Sequence, residues 1–127
     1  MAIIHVLLVE DDPTWQVGVD ALFSSEENID LLAVVDNYED ALKAFDEEKP
    51  DVVLLDWQIK GERDGLQVGQ KLLERGFPAS RMILVTGSDP ALLPKHPFRL
   101  IPKPRIASDL VYAIQEVGAL SQKTPTR

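Results

Sequence analysis

The chain has 127 residues, 45% of them hydrophobic and 27% charged, with no cysteine and a formal net charge of −8. That is enough apolar material for one globular core, and it excludes disulfides, thiolate metal sites and cysteine nucleophiles. The acidity provides no basic face for phosphate backbones, and no apolar run approaches the roughly 18 residues of a membrane span. The start, Met1-Ala-Ile-Ile-His5, lacks the basic segment of an export signal. The expectation is a cytoplasmic soluble domain that binds neither nucleic acid nor membrane.

Apolar runs alternate with amphipathic stretches along the chain. Ile3 to Val9 is predicted as the first strand. Asp12-Pro13 then reads as N-cap and first helical residue, followed by Trp15, Val19, Leu22 and Phe23 at helical spacing. Leu31 to Val35 is the second strand, and Tyr38, Leu42 and Phe45 stripe the second helix, closed by Pro50. Asp51 to Asp56 is a third strand whose successive apolar residues suit burial on both faces. Leu66, Val68, Leu72 and Leu73 mark a third helix that stops near Gly76 and Pro78. Met82 to Val85 and Phe98 to Ile101 are the fourth and fifth strands. Ser108 is expected to cap a last helix carrying Leu110, Ile114 and Val117. Residues 1–120 form the expected domain, and Ser121 to Arg127 a polar tail or the start of a linker.

Strands alternating with helices predict a parallel sheet covered on both faces. One segment departs from the pattern. Five of the nine prolines, Pro90, Pro94, Pro97, Pro102 and Pro104, fall between residues 90 and 104. A helix opened at Asp89-Pro90 would end within about one turn, so the fourth helix should be shortened or missing.

In such a sheet the functional crevice lies beyond the carboxyl ends of the strands. The first strand ends in Glu10-Asp11-Asp12, the third in Asp56, the fourth in Thr86, and the fifth just before Lys103. Neighbouring strands would gather carboxylates, one hydroxyl and one ammonium. Clustered carboxylates repel one another unless a cation neutralises them, and an all-oxygen donor set suits a hard ion such as Mg2+. An aspartate so placed has the chemistry of a nucleophile toward phosphorus.

Leu7-Leu-Val-Glu-Asp-Asp-Pro13, Val52-Val-Leu-Leu-Asp-Trp57, Asp64-Gly65-Leu66, Leu84-Val-Thr-Gly87 and Lys103-Pro104 together resemble the receiver domain of two-component response regulators. The resemblance runs from about Ile3 to Leu120. It implies a flavodoxin-like five-stranded sheet of order 2-1-3-4-5. It implies Asp56 as phosphoacceptor, Thr86 as the switch hydroxyl and Lys103 as the partner of the phosphoryl group. Glu10, Asp11, Asp56 and the backbone carbonyl of Gln58 become the Mg2+ ligands, with Asp11 the direct one. It also implies a cis bond at Lys103-Pro104. The implied partners are a histidine kinase or histidine phosphotransfer protein, an output domain or separate output protein, and a second copy of the chain. The chain would accept phosphate and catalyse only its own phosphorylation and dephosphorylation.

Three departures stand out. The connection Ile59-Lys-Gly-Glu-Arg-Asp64 is one residue longer than the commonest form, Leu100 replaces the usual fifth-strand aromatic, and Thr86 to Lys103 is short. The last two predict that signalling runs through ordering of Gly87 to Pro97 rather than an aromatic rotamer. Other readings fit less well. A haloacid-dehalogenase-type phosphohydrolase needs an acid where Gln58 stands. A flavin or dinucleotide module needs a phosphate-cradling loop where Glu10-Asp11-Asp12 stands. A degenerate receiver serving only as an interaction module would not need the full acidic, hydroxyl and ammonium set. His5 and His96 have no partner pattern and no catalytic role is expected of them. Trp15 reads as packing, and Gly87 as either a turn residue or a close approach to phosphate.

Overall fold

A computed structural model describes residues 2–123, with the side chains described through residue 119. The strands are β1 (Ile4–Val9), β2 (Ile29–Val35), β3 (Val52–Asp56), β4 (Met82–Thr86) and β5 (Arg99–Pro102). The helices are α1 (Pro13–Ser24), α2 (Tyr38–Glu48), α3 (Gly65–Glu74) and α4 (Ile106–Lys123). All strand pairs are parallel, in the order β2-β1-β3-β4-β5. This is the parallel sheet that the alternation predicts, in the flavodoxin-like order that the receiver resemblance implies.

The side-chain period of two sorts each strand between two cores. Val6, Leu8, Val52, Leu54, Ile83, Val85 and Ile101 face α1 and α4, where Val19, Phe23, Leu110 and Ile114 close the layer. Leu7, Val9, Val53, Leu55, Met82 and Leu84 face the other way, against Ala41, Ala44, Val68 and Leu72 of α2 and α3. Every residue of β3 and β4 is buried, which is why those segments read as unbroken apolar runs.

Helix starts follow the sequence signals. Asp12 caps α1, accepting from the Thr14 N–H, with Pro13 next in the chain. Asn37 caps α2, and Asp64 with Gln67 forms a reciprocal capping box on α3. Between β4 and β5 the only helical feature is one 3-10 turn, Pro90–Leu92, so the shortened fourth helix is as expected. The sheet face left open there is filled by Phe98. Its ring lies so close to Gly69 that a Cβ on that residue would stand 2.6 Å from it.

The last helix corrects one expectation. It begins at Ile106, directly after a 3-10 turn over Lys103–Arg105, and Ser108 lies inside it rather than at its cap. Pro104, with its fixed φ, is the second residue of that turn, and proline suits the first turn of a helix. The helix continues through Lys123, so part of the polar stretch expected as a tail is helical; residues 124–127 lie outside the described part. No described helix is long and apolar enough to cross a membrane.

Candidate functional site

The buried polar or charged side chains among the described residues are Glu10, Asp56, Thr86 and Lys103. They stand at the carboxyl ends of β1, β3, β4 and β5, and the sheet order makes them neighbours. Burying such groups is costly unless they pair, and here they do. Lys103 Nζ lies 3.0 Å from Glu10 Oε1 and 3.3 Å from Asp56 Oδ2. Thr86 Oγ1 accepts from the Ser88 N–H at 3.1 Å. No described buried side-chain nitrogen or oxygen is left without a partner.

Asp11, Asp12, Asp56, Gln58, Thr86, Gly87, Ser88 and Lys103 line an open cleft of about 300 Å3 above these strand ends. Glu10, Asp11 and Asp56 each offer a carboxylate oxygen, and the three lie within 4.8 Å of one another. One ammonium does not balance that much charge. Burial, reinforced by Glu10, pushes the Asp56 carboxyl from the usual 3.8 up to about 7, against the opposing pull of Lys103. Burial alone would lower the Lys103 ammonium, but its bond to Glu10 and the Asp56 charge outweigh that and hold it above the usual lysine value. An all-oxygen, overcharged cluster fits a hard divalent cation.

The backbone around Asp56 is tightly built. Gly65 packs so closely on the Asp56 carbonyl that an added Cβ would lie 1.7 Å from its oxygen, and the Gly65 N–H donates to the Trp57 carbonyl at 2.7 Å. Trp57 Nε1 donates to Asp64 Oδ2 at 3.2 Å, tying the residue after Asp56 to the α3 cap. Glu10 is fixed in turn. Its Oε2 accepts from the Asp12 N–H at 3.2 Å, and its carbonyl accepts from Gln16 Nε2 at 2.7 Å.

All the residues singled out from the sequence converge here: Glu10, Asp11, Asp56, Gln58, Thr86 and Lys103. One expectation fails. The Lys103–Pro104 bond is trans, yet Lys103 still reaches both carboxylates. The 3-10 turn that starts at Lys103 leads straight into α4 and delivers the ammonium without a cis bend. Gly87 has neither a left-handed φ nor a tight neighbour, the nearest atom to an added Cβ being Lys103 Cδ at 3.6 Å. Sequence reasoning missed Trp15, whose ring centroid lies 5.0 Å from Lys103 Nζ. Its place one turn after Asp11 was the available signal. Ser88 was missed too, because its part is played by a backbone N–H.

The comparisons agree with this geometry. Residues 6–115 match the family model described as the response regulator receiver domain. The chain is 36% identical over 83 residues to the response regulator GacA of Pseudomonas aeruginosa, covering 65% of this chain and 38% of that protein. It is 37% identical over 86 residues to the positive alginate biosynthesis regulatory protein of the same species, covering 67% of this chain and 34% of that one. The chain thus spans well under half the length of these curated relatives. Among solved structures, the receiver domain of PhyR from Erythrobacter litoralis superposes with a TM-score of 0.79 at 26% identity, covering 100% of this chain and 98% of that one. The response regulator domain of Thermotoga maritima CheB also gives 0.79, at 19% identity, covering 97% and 99%. With a family match over most of its length and a receiver-type sheet carrying the acidic cleft, the chain belongs to the response regulator receiver domain family.

Proposed function

We propose that residues 1–120 act as a phosphoacceptor in histidine-to-aspartate signalling, in the cytoplasm, with Asp56 the residue phosphorylated. The observation that carries this reading is the burial of Asp56 between Lys103 and the Glu10–Asp11 acids at the floor of an open cleft. The donor is a phosphohistidine on a histidine kinase or phosphotransfer protein. An Asp56 carboxylate oxygen attacks phosphorus as the P–N bond breaks, and the bonding pair returns to the partner's imidazole. Lys103, already 3.3 Å from Asp56, neutralises the equatorial oxygens. Thr86 Oγ1 is free to donate its own hydrogen to the phosphoryl group, since in the resting site it only accepts from Ser88.

Glu10, Asp11, Asp56 and the Gln58 carbonyl would hold Mg2+. When bound, the ion neutralises the carboxylates and the incoming phosphate charge. The raised Asp56 value supports this, because the nucleophile must be ionised at neutral pH and Lys103 alone does not ensure it. Gln58 offers no general acid two residues past Asp56, which favours a lasting aspartyl phosphate over turnover of phosphate esters. The signal then passes to an output domain or partner protein, or to a second copy of the chain.

Acetyl phosphate with Mg2+ should add one phosphoryl group, read by intact-protein mass spectrometry, and Asp56→Asn should abolish the addition. Equal labelling of the variant would overturn the assignment.

A further inference from the structure

The Lys103 ammonium has three N–H donors. Two carboxylates, Glu10 at 3.0 Å and Asp56 at 3.3 Å, account for two of them. The indole face of Trp15 on α1 also lies beside the ammonium, 5.0 Å away at its centroid. That is within cation–π range, and the ammonium is largely withdrawn from water, with the Lys103 side chain only 10% exposed. Trp15 itself sits half-buried on the edge of the core between α1 and α4, so its ring does not swing freely.

We infer that Trp15 is a positioning residue for the phosphorylation reaction, holding the Lys103 ammonium over the site by a cation–π contact. The inference rests on the phosphoacceptor reading. A lysine side chain gives up substantial rotamer freedom when fixed, so an undirected Lys103 would spend much of its time elsewhere. The carboxylates direct it only while they are not engaged otherwise. Glu10 and Asp56 are also the candidate metal ligands, so a bound cation would compete with Lys103 for their oxygens. The indole face has no such competing engagement. It would keep the ammonium beside Asp56 for the phosphoryl oxygens even with the carboxylates engaged by a cation. A purely apolar side chain of the same size would cover the lysine stem but would not attract its charge.

Graded fluorination of the indole separates these roles, because it withdraws electron density from the ring face while barely changing its size. In a Trp57→Phe background, so that Trp15 alone carries the label, the chain is made with tryptophan and then with mono-, di- and trifluorotryptophan. Affinity for beryllofluoride with Mg2+, read by 19F NMR, should fall step by step, by about threefold to tenfold across the series. In the free protein, the Lys103 Cε protons should be shifted upfield by the ring current, and Trp15→Leu should remove that shift. An affinity that stays flat along the series would overturn the inference and leave Trp15 as packing. So would Lys103 protons at ordinary positions in the parent protein. A parent chain that binds no beryllofluoride would instead overturn the phosphoacceptor reading, and the proton shift would then decide the indole–ammonium contact alone.

Discussion

Two connections wall the cleft, and they are held in opposite ways. The β3–α3 connection is tied to other parts of the chain. The Lys60 N–H donates to the Asp36 carbonyl at 3.0 Å, Lys60 Nζ pairs with Asp36 at 2.9 Å, and the Arg63 guanidinium lies 4.5 Å over the Tyr38 ring. Ile59 is buried, and Gly65 abuts the Asp56 carbonyl. The β4–β5 connection bonds almost only to itself. Ser88 donates to Thr86, Ala91 and Leu92 to Asp89, Leu93 to Pro90, and Phe98 to His96, each within three residues. Its long-range hold is apolar, through Phe98 against Gly69 and Leu93 at the edge of the same core. Local bonds do not resist displacement of a segment as a whole, whereas ties across elements do. One wall therefore fixes Asp56, and the other has few polar ties to oppose its displacement.

Glycine substitution tests this contrast most severely. Gly65→Ala drives a Cβ into the Asp56 carbonyl, where backbone must move, and should cost about 3 kcal/mol. Gly87→Ala meets nothing closer than 3.6 Å and should stay within about 0.5 kcal/mol. Urea unfolding of the two variants measures both, and equal costs would erase the distinction between the walls.

The next effect belongs to the charge held between them. Asp56 titrates near 7 in the fold and near 3.8 when unfolded, so from about pH 4 to 7 the native state binds the extra proton. Stability without Mg2+ is therefore fullest below about pH 4 and falls as pH rises through about 7. Asp56→Asn removes that loss. It should stabilise the metal-free protein by about 1–2 kcal/mol near pH 8, after allowance for solvent screening, and flatten the profile. Added Mg2+ should recover much of the same loss in the parent chain. Melting curves across pH check both, and a variant less stable than the parent at high pH would mean that Lys103 dominates the charge balance.

The smallest change in energy is the most specific to the comparison. Beryllofluoride should increase amide protection over residues 87–98 and leave residues 57–64 nearly unchanged. Hydrogen exchange reads both segments in one experiment. Protection gained mainly in residues 57–64 would reverse the expected contrast between the two walls.

The elements of the fold and the members of the site are written locally, and so they were legible. Two-residue and 3.6-residue periods, the Asp12-Pro13 start and the Asp64–Gln67 box all act within a few positions of chain. The residues at strand ends follow from the strands themselves, and a parallel sheet must bring neighbouring ends together. The proline run likewise excludes a full fourth helix whatever surrounds it. Other features required elements far apart in the chain to meet. The sequence carries an aromatic at Phe98, but only packing shows that it plugs against Gly69, 29 positions away, in place of helical cover. Nothing in Trp15 or Lys103 alone announces that one lies against the other. The pairing of Lys103 with Glu10 and the trans bond after it depend on how α4 enters, and that is decided by its packing on β1 and α1. Local preference selects the conformation of a segment, but contact between distant side chains is a property of the closed core, which has to fill its space at close packing.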